Sequence, residues 1–199
     1  MRAVLLASPL MLLLASAAPA SAATITFDNL AAAGNFGPYT EAGFAVTPTS
    51  GNWITSNTFG HPAPFIQFLG ITGTTVTADV SVTHGGSPFL FTAIDLYSSL
   101  TPIPYVFTGL RNATVVFTQS GTVPNTFGNF ATVATDSVLP IDTLLISLSN
   151  PAIGPFCCGS NPVGLDNIVV NAVQVPEPAA ALLLGVALAA RRAWRRRAD

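Results

Sequence analysis

The chain has 199 residues and a formal net charge of −2; half of its residues are hydrophobic and only 8% are charged. The charges are unevenly placed. Five of the seven arginines lie beyond position 190 and Arg2 stands at the start, so Arg111 alone faces Asp28, Glu41, Asp79, Asp95, Asp136, Asp142 and Asp166 between residues 23 and 175. A region this acidic, with no lysine, has no basic surface to neutralise phosphates, which excludes nucleic acid as a partner.

Met1 and Arg2 form a minimal positive start, Ala3 to Ala17 an apolar stretch, and Ala20-Ser21-Ala22 a small-x-small cleavage site. Residues 1–23 therefore read as a secretory signal peptide, cut beside Ala23 after recognition by the Sec export machinery. Residues 24–174 are left as one exported domain, long enough to bury a sizeable core. Their Thr, Ser, Asn and Gly are mixed with many β-branched and aromatic residues, as in a secreted β protein and not a disordered segment.

Within that domain, short strands alternate with turn clusters. Thr24 to Phe27 is the first strand, ending at Asp28 and Asn29; Ala31 to Pro38 is a small-residue loop. Tyr39 to Pro48 holds a strand around GFAV, Trp53 to Gly60 shows no period, and His61 to Pro64 breaks whatever precedes it. Phe65 to Leu69 alternates, with Phe65 and Leu69 on one face. Thr74 to Thr83 places Val76, Ala78, Val80 and Val82 on one face and Thr75, Thr77, Asp79 and Ser81 on the other, the pattern of a half-buried strand.

After Gly85, Gly86 and Pro88, the stretch Phe89 to Tyr97 is expected to alternate throughout, with Phe91, Ala93, Asp95 and Tyr97 on one side and Leu90, Thr92, Ile94 and Leu96 on the other. Tyr105 to Gly109 pairs with Ala113 to Gln119 across a turn at Leu110 to Asn112. Phe127 to Thr135, Ile141 to Ser149 and Leu165 to Val173 complete nine or ten strands. No segment of the domain keeps helical periodicity over three turns. The class is all-β, a two-sheet antiparallel sandwich, with jelly-roll order preferred to immunoglobulin order.

The last 25 residues, 175–199, have a different design. Pro176, Glu177 and Pro178 form a stiff extended break. Ala179 to Ala190 is a run of good helix formers, about 18 Å long as a helix and short of the roughly 30 Å hydrocarbon core. Arg191, Arg192, Arg195, Arg196 and Arg197 then form a basic cluster of the kind retained on the cytoplasmic side of a membrane. A plain tail anchor with a Pro-Glu-Pro linker is one reading of this pattern.

The ordering of Val-Pro-Glu-Pro, apolar helix and arginine cluster resembles the PEP-CTERM protein-sorting signal of Gram-negative bacteria. The resemblance implies that Pro176, Glu177 and Pro178 are recognised by an exosortase, which removes the apolar segment and the arginines after temporary membrane retention. It implies a location at the inner membrane, then at the cell surface or in an extracellular matrix. ITFD near the start and GLDNIVV near the end resemble the β-sandwich domains of PEP-CTERM proteins, and similar layouts occur in carbohydrate-binding modules.

Candidate site residues are few. His61 and His84 sit beside Gly or Pro without ligand partners at useful spacing, and no G-x-S-x-G elbow occurs. Glu41 is the only glutamate of the domain and the aspartates are scattered, so a secreted hydrolase acting on polysaccharide through dispersed carboxylates is the alternative function and not the leading one. First and last strands are often neighbours in sandwiches, which would gather Asp28, Asn29, Asp166 and Asn167 as oxygen ligands for a structural calcium. Turn capping by the two aspartates is the competing account.

Trp53 lies among Asn52, Asn57, Phe59 and His61, a mixture suited to stacking on a sugar ring, although a core position is the commoner fate of a tryptophan. Cys157 and Cys158 are adjacent on an exported loop. With no third cysteine, a vicinal disulfide is favoured over interchain cross-links or free thiols. Asn112-Ala113-Thr114 is a sequon by pattern, expected by chance. The expected function is a non-enzymatic surface or exopolysaccharide-matrix protein with weak glycan affinity.

Overall fold

The computed structural model describes residues 22–31, 33–58, 60–151, 161–173 and 185. Thirteen strands follow one another: β1 (Ala22–Ile25), β2 (Gly34–Asn35), β3 (Tyr39–Glu41), β4 (Phe44–Ser50), β5 (Ile54–Ser56), β6 (Phe65–Leu69), β7 (Val76–Thr83), β8 (Phe89–Ser98), β9 (Ile103–Arg111), β10 (Thr114–Val123), β11 (Ala131–Ala134), β12 (Thr143–Asn150) and β13 (Pro162–Ala172). They form two antiparallel sheets. The first runs β11, β8, β13, β6, β5, β2, with β1 added against β13; the second runs β10, β9, β12, β7, β4, β3.

From β6 onward the chain crosses between the sheets in the way that defines a jelly roll. β6, β8, β11 and β13 enter the first sheet and β7, β9, β10 and β12 the second, with β13 between β6 and β8 and β12 between β7 and β9. The jelly-roll sandwich read from the sequence is therefore the fold. β4 and β3 lengthen one sheet, and β5 and β2 the other.

Simple alternation builds the centre of the second sheet. Ala78, Val80 and Val82 of β7 face inward opposite Leu148, Ile146 and Leu144 of β12, all with 0% exposure, and the intervening Thr, Ser and Asp residues face outward. Each large aliphatic side chain withdrawn from water in this way contributes roughly 1.5–3 kcal/mol. Phe107 of β9 closes the layer edge-to-face on Phe91 of β8, with ring centroids 5.3 Å apart.

The first sheet departs from the expected alternation at one level. In β8, Phe89 and Phe91 are buried, but so are Ile94 and Leu96; in β13, Val163 and Leu165 are buried, and then Ile168 and Val170. The register explains this. Asp166 opposes Asp95, Val169 opposes Ala93 and Val170 opposes Phe91, so each strand carries one extra residue at this level. An inserted residue moves every later side chain to the other face of a strand, and the two bulges compensate each other.

Three further elements differ from expectation. β1 starts at Ala22 and ends at Ile25, and Phe27 leaves the strand with φ of 60° to bury its ring. Of Phe127 to Thr135 only Ala131–Ala134 is a strand, because Phe127 takes φ of 49° in a turn and is 77% exposed. The hairpin joining β9 and β10 turns on Asn112 and Ala113, both with positive φ, which fits the twist of the flanking strands.

Candidate functional site

The expected meeting of first and last strands occurs: Ile25 of β1 pairs with Ile168 of β13. The two bulges at this level gather a cluster of acidic and amide side chains. Asp166, only 1% exposed, accepts the Asn167 backbone N–H at 2.8 Å, and the Asn167 side-chain NH2 donates to Asp95 at 3.0 Å and toward Asp166 at 3.4 Å. Thr132 of β11 donates to the other Asp95 oxygen at 2.5 Å.

Burial pushes the Asp166 carboxyl up to about 7; the Asn167 N–H pulls it down, and the charges of Asp28, Asp95 and Glu41 push it further up. Asp28 thus acts on Asp166 through its field, while Asn29 lies beside Tyr39. Of the four residues expected to ligate calcium, only Asp166 and Asn167 are joined by hydrogen bonds. The Asn167 NH2 presents hydrogens between two carboxylates where an ion would need oxygens. Among the described residues no three acidic, histidine or cysteine side chains form a metal-holding group.

Glu41 has a role that no local pattern showed. From β3 at the edge of the second sheet it reaches the segment after β1, accepting Thr26 N–H at 2.9 Å, Thr26 Oγ1–H at 3.0 Å, Phe27 N–H at 3.1 Å and the Tyr39 hydroxyl at 3.1 Å. The carboxylate joins the two sheets at their open side and holds Phe27 in its left-handed conformation. Its lone pairs are taken up by donors, which suits a clamp better than a proton-transfer group.

Trp53 corrects an expectation. It is 2% exposed, packs edge-to-face on Phe68 at 5.1 Å, and donates its ring N–H to the carbonyls of Ser50 at 3.0 Å and Asp79 at 3.2 Å. The indole fills the core with its one polar atom satisfied, so it is no platform for a sugar. His61 is exposed, as expected of a loop residue, and bridges to Asn129; His84 is instead half-buried, stacked on Phe44 at 4.3 Å.

Cys157 and Cys158 lie outside the described residues, but Asn150 and Asn161, on either side of them in the sequence, do not. Asn150 and Asn161 are fully buried and paired: Asn150 donates to the Asn161 carbonyl at 2.6 Å, and Asn161 donates to the Asn150 side-chain oxygen at 3.0 Å and to Thr101 at 2.7 Å. Pro176, Glu177, Pro178 and the five tail arginines are likewise outside the described residues, as is the apolar run 179–190 apart from Gly185. Among the described residues no helix is long and apolar enough to cross a membrane.

The outer face of the second sheet offers a shallow groove of about 250 Å³, lined by Thr49, Asp79, Val106, Thr108, Leu145 and Ser147. Asp79, Ser147 and Val106 form one cross-strand row, and Leu145 and Thr108 the next. Ser50 donates to one Asp79 oxygen at 2.5 Å. Chemically this is an aliphatic floor bordered by hydroxyls, with one carboxylate able to accept from a ligand. A second, larger groove of about 550 Å³ lies between residues 117–120 of β10 and residues 136–139.

Fold and surface together define a jelly-roll sandwich whose acidic side chains are mostly tied down and whose outer sheet is lined by hydroxyls. Residues 174–197 match the PEP-CTERM protein-sorting motif, so the sandwich is the exported part of a protein carrying an exosortase sorting signal. No curated protein matches the chain.

Among solved structures, a family 29 carbohydrate-binding module from Piromyces equi is similar with a TM-score of 0.45 at 10% identity, over 78% of this chain and 93% of that one. The TmCBM61 module in complex with β-1,4-galactotriose gives 0.40 at 10% identity, over 66% and 90%. The enzymatically active domain of bacteriophage CBA120 tailspike protein 4 gives 0.43 at 11% identity, over 64% of this chain and 19% of that one.

Proposed function

We propose that the mature sandwich is a non-enzymatic protein of the cell surface or exopolysaccharide matrix, exported through Sec, held briefly in the inner membrane by its tail and then processed by an exosortase. The observation that carries this reading is the sorting motif at 174–197. The sandwich holds extracellular polysaccharide weakly in the groove around Asp79. There the carboxylate accepts sugar hydroxyls, Thr49, Thr108 and Ser147 exchange hydrogen bonds with the ring substituents, and Val106 and Leu145 meet the C–H faces. The groove contains no aromatic residue, which keeps the affinity low. The donors already gathered on Glu41 favour this reading over hydrolysis.

Two measurements test it. Intact mass of protein from the native host is expected to lack the apolar and arginine segments in the wild type and to retain them in Glu177→Ala; retention in both would reduce the tail to an ordinary anchor. Affinity electrophoresis in gels containing the host's polysaccharide is expected to retard the wild type. Asp79→Ala loses a charge-assisted bond worth about 1.5–3 kcal/mol, so its retardation falls by roughly tenfold or more. Release of reducing ends from that polysaccharide would replace this reading with the hydrolase.

A further inference from the structure

The two sides of the sandwich differ in how their edges end. On one side the sheets finish in β2 and β3, of two and three residues; on the other they finish in β11, of four residues, and β10, of ten. β10 is therefore the one long edge among the described strands, about 33 Å of backbone at the usual rise. It pairs with β9 along one side only. On its other side, among the described residues, the only hydrogen bond from β10 runs from the Gln119 side chain to the Ala134 carbonyl at 2.9 Å, and the groove of about 550 Å³ follows the strand between residues 117–120 and 136–139.

The composition of this edge is unusual for an exposed one. Natural proteins protect long edges with charged residues, especially lysine, with proline or with bulges. Thr114–Val123 has no charge and no proline, in a domain that otherwise carries seven carboxylates, and its one bulge, between Val115 and Phe117, leaves the run from Phe117 to Val123 regular. Among the described residues, six of the eight exposed large hydrophobic side chains lie on β9, β10 or the connections flanking them and β11: Leu100, Val106, Val115, Phe127, Val138 and Leu139. Apolar exposure is thus concentrated on the side where the backbone is unpaired.

We propose that β10 pairs antiparallel with β10 of a second copy of this chain, forming a closed two-fold dimer in which the six-stranded sheets of the two copies become continuous. Three observations select a second copy. An antiparallel pair of identical strands is self-complementary, so the free N–H and C=O groups of each meet their counterparts in the other. Two acidic domains approach each other with least repulsion through surface of low charge, and β10 carries no charge, with Asp136 the one carboxylate lining its groove. The opposite edges are too short to continue the sheet, which closes the assembly at two copies and gives no fibre. The partner strand occupies the groove, with Val138 and Leu139 as its apolar wall.

The test uses the mature protein and two paired variants, Thr118→Lys with Ser120→Lys, and Thr118→Glu with Ser120→Glu. Both positions are exposed on the outer face of β10, opposite Thr108 and Val106 of β9. Light scattering after size exclusion is expected to give dimer for the wild type at tens of micromolar, and a dissociation constant raised at least tenfold in each variant. Mixing the two variants restores a dimer that native mass spectrometry identifies as mixed. A wild type that stays monomeric at about 1 mM, or variants that dimerise unchanged, overturns the proposal. Failure of the mixture to pair does the same. Amide exchange in the wild type supplies an arm that needs no variant: protection of residues 114–123 rises with protein concentration, and protection independent of concentration refutes the pairing.

Discussion

Asp166→Asn isolates the energetics of the acidic corner. The Asp166 carboxyl, 1% exposed, is raised from 3.8 to about 7, mainly by burial. Between those two values the folded protein holds a proton at this site that the unfolded chain has released. The stability contributed by this group is therefore greatest below 3.8, falls as pH rises through the interval, and is lost above 7. A rise of about three units corresponds to about 4 kcal/mol between the two ends, an order-of-magnitude figure. In a domain of this size that corresponds to roughly 10 °C in melting temperature.

Asparagine keeps the shape and the oxygen that accepts the Asn167 N–H but carries no charge. The variant is expected to match the wild type near pH 4 and to exceed it by up to about 4 kcal/mol at pH 8. Urea titrations of both proteins at half-unit steps from pH 4 to 8.5 give the difference directly and cancel the contributions of other carboxylates. A difference that does not change with pH, or a wild type whose advantage grows with pH relative to the variant, refutes the argument.

Trp53→Ala removes a buried indole and leaves two carbonyls without their donor, so urea denaturation is expected to show a loss of about 3–5 kcal/mol. Trp53→Phe, which keeps the fold, is expected to bind polysaccharide as the wild type does; a selective loss of binding would restore the platform reading. Glu41→Ala strands the Thr26 and Phe27 N–H groups, each costing about 1–3 kcal/mol, and hydrogen exchange is expected to speed up at those two amides before it does in β7 or β12. Calcium against EGTA at pH 7 is expected to leave the melting temperature unchanged, because the Asn167 NH2 lies between the carboxylates; a rise with calcium would establish the ion expected from Asp28, Asn29, Asp166 and Asn167.

How far these features were legible depends on whether their cause was local. β7 and β12 were readable because a period of two, with aliphatic residues inward and mostly Thr, Ser or Asp outward, follows directly from strand geometry. The inward faces of β8 and β13 were not, because a bulge is one extra residue that only a partner strand reveals. The corner was half legible: Asp28, Asp166 and Asn167 stood out at strand ends, whereas Asp95 looked like one polar residue in a regular strand. Glu41 carried no local signal, since its donors Thr26 and Phe27 lie about fifteen residues earlier, just after a strand of the other sheet. Trp53 misled through its neighbours: a polar loop flanks it, but the Ser50 and Asp79 carbonyls that receive its ring N–H come from β4 and β7.

The order of strands also bears on where the sorting motif stands. β13 lies between β6 and β8, and pairs with β1 along the remainder of its length. Without it the first sheet falls into three parts, β6, β5 and β2 on one side, β8 with β11 on the other and β1 alone, and the buried side chains Val163, Leu165, Ile168 and Val170 leave the core. The sandwich therefore cannot close until Ala172 has emerged, and the sorting motif begins two residues later, at 174.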